Sequence, residues 1–172
     1  IKDMQVPITT FGIDGGDYRR VNVRKDHPAF YSFDVEHNGE ILCTINLSVP
    51  GIHNIYNAMA AFTACTLAGL TPEEIKNGID TFGGAGRRFE IYGVVNGITI
   101  ADDYAHHPSE IAATLRAAKD MGFKRVWAVH QPFTYSRTKM LLKDFADALS
   151  IADKVVMTEI MGSREVNTYN IY

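Results

Sequence analysis

The hydrophobic positions change their period twice along the chain, and those changes divide it. Up to Pro50 apolar and polar residues alternate. Val21 and Val23 stand between polar neighbours, and Phe30-Tyr31-Ser32-Phe33-Asp34-Val35-Glu36 keeps the two-residue period of a strand with one face inside. His37-Asn38-Gly39-Glu40 separates that run from Ile41-Leu42-Cys43-Thr44-Ile45-Asn46-Leu47. Asn-Gly between two such runs predicts a tight hairpin, because both residues tolerate the positive φ the turn requires. Pro50-Gly51 ends the strand-rich region. From His53 to about Leu70 the residues are small and apolar, as in Asn57-Ala58-Met59-Ala60-Ala61-Phe62-Thr63-Ala64-Cys65, which predicts a helix packed closely on a sheet and closed by Gly69. Thr71-Pro72-Glu73-Glu74 has the form of a helix start: a hydroxyl cap, a proline where no N–H is needed, and carboxylates at the positive end of the dipole. That helix is expected to run to about Phe82.

Gly83-Gly84-Ala85-Gly86 reads as a linker, with one domain over 1–83 and a second over 84–172. After it the pattern becomes strand, strand, helix, strand, helix, strand. Phe89 to Val95 and Ile98 to Asp102 flank an Asn96-Gly97 turn. Pro108 to Met121 carries Ile111, Leu115 and Ala118 on one helical face, with Gly122 as terminator. Arg125 to Val129 is a short apolar strand. Ser136 to Leu149 is expected to be one helix with Met140, Leu141, Phe145 and Leu149 as its apolar stripe, and Lys154 to Thr158 a further strand. Strands alternating with helices predict an α/β fold with a mostly parallel sheet and ligand groups at the carboxyl ends of its strands.

Composition narrows the function classes. The 172 residues are 46% apolar and 22% charged, with a formal net charge of -3, so neither nucleic acid nor an anionic membrane is an expected partner. No apolar run approaches the roughly 20 residues that span a bilayer. Cys43 and Cys65 have neither C-x-x-C spacing nor the density of a disulfide scaffold, so free thiols in a cytoplasmic protein are expected. A start at Ile1 and a stop at Tyr172 give the expectation of a fragment, incomplete at both ends.

The densest chemistry lies in Asp102-Asp103-Tyr104-Ala105-His106-His107-Pro108-Ser109-Glu110, between the end of a strand and the start of a helix. Adjacent histidines seldom converge on one ion and no H-x-x-x-H spacing is present, so no metal site is assigned. Asp103, Tyr104 and His106 are expected to touch ligand, although Asp103 has the alternative of capping a turn; His107 is expected to be solvated, and His107 and Glu110 to be structural. His53, Asn54 and Asn57 sit at the mouth of a helix, with the two asparagines on one face of its first turn. An asparagine amide can pair with an adenine edge; Asn54 has the alternative of capping the helix. Arg87-Arg88-Phe89-Glu90 follows the linker, where an arginine fork suits phosphates. Arg137, in Gln131-Pro132-Phe133-Thr134-Tyr135-Ser136-Arg137-Thr138, would face the same crevice as Asp103 to His106 and could bind a substrate carboxylate.

G-x-H-N-x-x-N-A-x-A-A, R-R-F-E, D-D-Y-A-H-H-P-S-E and Q-P-x-x-Y-S-R-T, in this order, resemble the Mur ligase family, and Gly162-Ser163-Arg164-Glu165 is similar to a later G-S-x-R-E segment of it. The third and fourth blocks are most similar to members that join L-alanine to UDP-N-acetylmuramate. Where the family usually reads F-Q-P-H, this chain has His130-Gln131-Pro132-Phe133. The resemblance implies that 1–83 is the C-terminal part of a central ATP-binding domain and 84–172 a truncated Rossmann-like C-terminal domain that binds the amino acid. It also implies ATP and Mg²⁺, and activation of the muramoyl carboxylate as an acyl phosphate that L-alanine attacks, in peptidoglycan precursor synthesis. By position, the resemblance gives His53 and Asn57 to adenine, with Asn54 also among the ATP-binding residues, Arg87 to the base, Arg88 to ribose or the γ-phosphate, and Asp103 to the ribose hydroxyls. Tyr104, His106 and Arg137 would form the alanine pocket. The alternatives are a sibling amide ligase that attaches a murein tripeptide, or a non-catalytic nucleotide-binding module. The family's G-x-x-G-K-[ST] loop, carbamylated lysine and magnesium-binding residues do not occur in these residues, so this segment alone is expected to have no ligase activity.

Overall fold

In the computed structural model, residues 6–162 and 164–171 are described; Ile1 and Tyr172, where the sequence begins and ends, and Ser163 of the G-S-R-E segment lie outside them. The chain divides into two compact units between Gly83 and Gly84.

The first unit is a four-stranded sheet in the order β1-β2-β3-β4, with strands Phe11–Gly12 (β1), Tyr18–His27 (β2), Phe30–His37 (β3) and Glu40–Asn46 (β4), followed by helices His53–Leu67 (α1) and Pro72–Asp80 (α2). The β3–β4 hairpin turns at Asn38-Gly39, whose φ values of 52° and 84° are the left-handed pair that the two-residue turn demands. Phe33 and Val35 of β3 are fully buried against Ile45 of β4 and Ile55, Met59 and Phe62 of α1. The opposite face of β3 is buried too. Ser32 and Asp34 lie under β2, and the Asp34 carboxylate accepts hydrogen bonds from Arg24 Nη2 (3.0 Å), Asn22 Nδ2 (2.8 Å) and Thr44 Oγ1 (2.8 Å).

α1 ends short of Leu70, since Gly69 takes φ 94°. Its N-cap is Ile52, without a side-chain cap; the Asn54 amide donates instead to Pro50 O (2.8 Å), which removes the capping role considered for it. α2 starts as expected: Thr71 Oγ1 accepts from Glu74 N while the Glu74 carboxylate accepts from Thr71 N, a reciprocal box that satisfies both. It stops at Asp80, before Phe82. Cys43 and Cys65 are free and half-buried, and burial pushes the Cys43 thiol up to about 11, which leaves it inert.

In the second unit, strands Glu90–Val95 (β5) and Ile98–Asp102 (β6) pair antiparallel around Asn96-Gly97, and Trp127–His130 (β7) pairs in parallel with Lys154–Met157 (β8). Helix Pro108–Asp120 (α3) connects β6 to β7, and Tyr135–Met140 (α4) and Leu142–Leu149 (α5) connect β7 to β8. Ile111, Ala112, Leu115 and Ala118 of α3 pack with Phe145, Ala148 and Leu149 of α5 and with Val126. The single helix expected over 136–149 is therefore two helices, divided at Leu141, which leaves helical space (φ −110°, ψ 22°). Leu141, Phe145 and Leu149 recur every fourth residue and all meet the core, whereas Met140 is 80% exposed and no part of the stripe.

Candidate functional site

In the first unit the helix-mouth residues form one cluster. Asn57 Nδ2 donates to Asn54 Oδ1 (2.8 Å), as their three-residue spacing on α1 requires, and that bond fixes both amides in orientation. Asn57 and His53 are exposed. With its Nδ2 tied to Pro50 and its Oδ1 to Asn57, Asn54 holds Asn57 and leaves Asn57 Oδ1 as the outward amide oxygen.

In the second unit the loop from Asp102 to His107, at the carboxyl end of β6, is fastened at both ends. The two Asp103 oxygens accept from Ala105 N (2.7 Å) and Phe89 N (2.8 Å), so Asp103 does cap a turn; each oxygen keeps a further lone pair. At the other end, the Glu110 carboxylate takes the N–H groups of His106 (3.0 Å) and His107 (3.2 Å). Burial would raise Glu110, but those two backbone donors outweigh it and hold its carboxyl below the ordinary range. His107 is exposed and is the N-cap of α3, accepting from Ser109 N on Nδ1, which agrees with its reading as a solvated, structural residue. An imidazole can cap a helix as a carboxylate does when its unprotonated nitrogen faces the first turn.

Tyr104 sits between these anchors. Its N–H donates to Arg87 O (2.7 Å), the Arg87 guanidinium lies 4.7 Å from its ring centroid, and the His106 ring meets it edge-on at 5.2 Å. Arg87 is held in turn by Asp102 (Nε to Oδ2, 3.2 Å), and its φ of 59° is the left-handed backbone that turns its side chain toward the loop. Its side chain is 60% exposed, so the guanidinium face away from Tyr104 is open. Arg88 is exposed, close enough to Glu110 to act on its charge. His106 Nδ1 lies 2.9 Å from the Tyr104 carbonyl, which can only accept, so Nδ1 is the donor of that bond and Nε2 takes no part in it.

Arg137, in the first turn of α4, reaches the same loop from the far side: its Nη1 donates to His106 O at 3.4 Å. The unit thus brings Arg87, Asp103, Tyr104, His106 and Arg137 onto one loop and its edges. Glu110, expected to be structural, holds one end of that loop through the His106 and His107 N–H groups. Asp102, which holds Arg87 beside it, is the residue for which the sequence assigns no role. A cavity of about 790 Å³ opens beside the loop, lined by Asp103, Ala105, Ile98, Trp127 and His130 among others. His130 Nε2 is buried without a hydrogen-bond partner, its ring packs 5.6 Å from Phe145, and burial lowers its pKa, keeping it neutral. Among the described residues no group of three His, Cys, Asp or Glu side chains converges on a point.

Comparison with known proteins adds relatives to this geometry. A family model described as Mur ligase, glutamate ligase domain, matches residues 87–171. The chain is 51% identical over 165 residues to the UDP-N-acetylmuramate--L-alanine ligase of Agathobacter rectalis, covering 95% of this chain and 36% of that protein. Its likeness to the ligase of the same name from Caldanaerobacter subterraneus is 46%, covering 98% and 37%. Among solved structures, the UDP-N-acetylmuramate-alanine ligase of Thermotoga maritima superposes with a TM-score of 0.75 at 32% identity, over 88% of this chain and 34% of that one. MurF of Acinetobacter baumannii, at 20% identity and a TM-score of 0.69, shares the fold. The chain thus spans little more than a third of the length of the curated relatives it matches.

Proposed function

Because the chain belongs to the Mur ligase family, we propose that it is the amino-acid-binding part, with an adjoining piece of the nucleotide-binding part, of an ATP-dependent ligase that joins L-alanine to the carboxylate of UDP-N-acetylmuramate. The observation that carries this reading is the convergence of Tyr104, His106 and Arg137 on one loop, with Arg137 Nη1 on His106 O. An amino acid presents a carboxylate and an amine a few ångströms apart. Arg137 offers a planar fork for the carboxylate, and Nε2 of His106, when the ring is neutral, can take a proton from the ammonium. Tyr104 closes the pocket between them.

The reaction divides between the halves of the loop. The nucleotide side consists of Asp103, whose remaining lone pairs accept the ribose hydroxyls, and the open face of Arg87, which stacks on the base. Arg88, exposed beside it, is available to phosphate oxygens. The first unit, taken by itself, presents His53 and an Asn57 amide oriented by Asn54, groups suited to hydrogen bonding with an adenine edge. The muramoyl carboxylate is activated as an acyl phosphate by ATP. The L-alanine nitrogen, freed of its proton by His106, attacks the acyl carbon, and the tetrahedral centre collapses by breaking the carbon–oxygen bond to phosphate. Holding amine and nucleotide on one short loop is a positioning effect, which can be worth several kcal/mol. No residue of this chain is assigned to Mg²⁺.

The test is phosphate release by the intact protein supplied with ATP and UDP-N-acetylmuramate, with L-alanine or a murein tripeptide as second substrate. L-alanine should drive release and the tripeptide should not. Release with the tripeptide alone would assign the sibling activity, and ATP binding without release in either arm would assign a binding module.

A further inference from the structure

The segment Gly162-Ser163-Arg164-Glu165 has no part in the reading above, yet Glu165 reaches the helix that carries Arg137. α4 has six residues, and its N-cap Thr134 makes no side-chain cap hydrogen bond. So short a helix cannot hold itself in water, since nucleation costs more than so few hydrogen bonds return. The first turn is satisfied from 29 residues away: Ser136 N donates to Glu165 Oε2 at 2.8 Å, and Ser136 Oγ donates to the other carboxylate oxygen. Three more contacts bring the carboxylate there. Met161 N donates to Pro132 O (2.9 Å), Glu165 N donates to Gly162 O (2.8 Å), and Gly162 (φ 73°) lies so close to Tyr135 that a Cβ would stand 3.0 Å from its ring. The Ser136 hydroxyl first, then its N–H, holds the Glu165 carboxyl below the ordinary carboxylate range, so the anchor is charged at neutral pH.

We propose that Glu165 is a positioning residue for the amino-acid pocket, fixing the first turn of α4 through Ser136 so that the next residue, Arg137, presents its guanidinium at the His106 carbonyl. This rests on the reading of Arg137 as the carboxylate clamp. Glu165 touches no substrate; it sets the angle from which the clamp acts, and misplacing a clamp by about 1 Å can cost one to two orders of magnitude.

The experiment compares Glu165→Ala, Glu165→Gln, Ser136→Ala and Arg137→Ala in the intact protein. It reads the KM for L-alanine, the KM for ATP, and hydrogen exchange of residues 134–138. Glu165→Ala should raise the L-alanine KM on the order of tenfold with the ATP KM within about twofold, and should speed exchange across 134–138. Glu165→Gln, whose amide oxygen still accepts the Ser136 N–H, should recover most of the loss. If Glu165→Ala does not fold, Ser136→Ala is judged by the same split, with an expected rise of about threefold. An L-alanine KM unchanged in Glu165→Ala but raised in Arg137→Ala overturns the proposal alone. So does a parallel rise of both KM values that Glu165→Gln fails to relieve. An L-alanine KM unchanged in Arg137→Ala overturns the site reading and the proposal with it.

Discussion

His130 is the residue whose environment is least like its sequence context. Its Nε2 is buried with no partner and its ring packs on Phe145, so protonation would place an unpaired charge among α5 side chains. Burial lowers its pKa in the folded chain, whereas an unfolded histidine titrates near 6.5. As pH falls below about 6.5 the unfolded state takes up the proton first, so stability declines with acidification. Chemical denaturation at pH 5 and pH 8 should show a loss at the lower pH that His130→Phe reduces. An unchanged pH difference in that variant would mean that other groups account for it. At the same scale, Asp103, Tyr104 and His106, named from one sequence motif, lie on one loop with Arg87 and Arg137 at its edges, while their fastenings were not legible. Arg87 on Tyr104 and Ser136 on Glu165 are pairs distant in sequence, and no local pattern specifies them.

Among the elements, those with local causes were the legible ones. Asn38-Gly39 and Asn96-Gly97 turn as their tolerance of positive φ dictates, and Thr71 with Glu74 closes the box its spacing announces. The helix break at Leu141 and the burial of both faces of β3 were not legible, because each is decided by what packs alongside. Alternation in β3 marks Ser32 and Asp34 as an outer face; only the folded β2, bringing Arg24 and Asn22 across, makes it an inner one. The hydrogen bond from Arg24, with those from Asn22 and Thr44, holds the Asp34 carboxyl down at about 2 despite burial. An unfolded aspartate titrates near 3.9, so this contribution is complete above about pH 4 and is lost as pH falls toward 2. Arg24 is nearly half exposed, so solvent screening weakens its share of that stabilisation. Asp34→Asn should be less stable than the parent at pH 7 and should lose the steepest part of the acid transition between pH 4 and pH 2; equal stability at pH 7 would mean the network contributes nothing.

For the molecule as a whole, the two units meet the linker at Gly83-Gly84-Ala85-Gly86, and the second unit carries the loop on which the functional account depends. Under the proposed function that loop would have a nucleotide half, Arg87 and Asp103, and an amino-acid half, Tyr104, His106 and Arg137, with a single peptide step between Asp103 and Tyr104. The central claim is that these halves are chemically independent although adjacent. Steady-state kinetics of His106→Ala in the intact protein, under the proposed activity, tests it most directly: the L-alanine KM should rise, or its saturation vanish, while the ATP KM stays within about twofold of the parent. Equal loss of L-alanine and ATP binding would contradict the division and make the loop one undivided site.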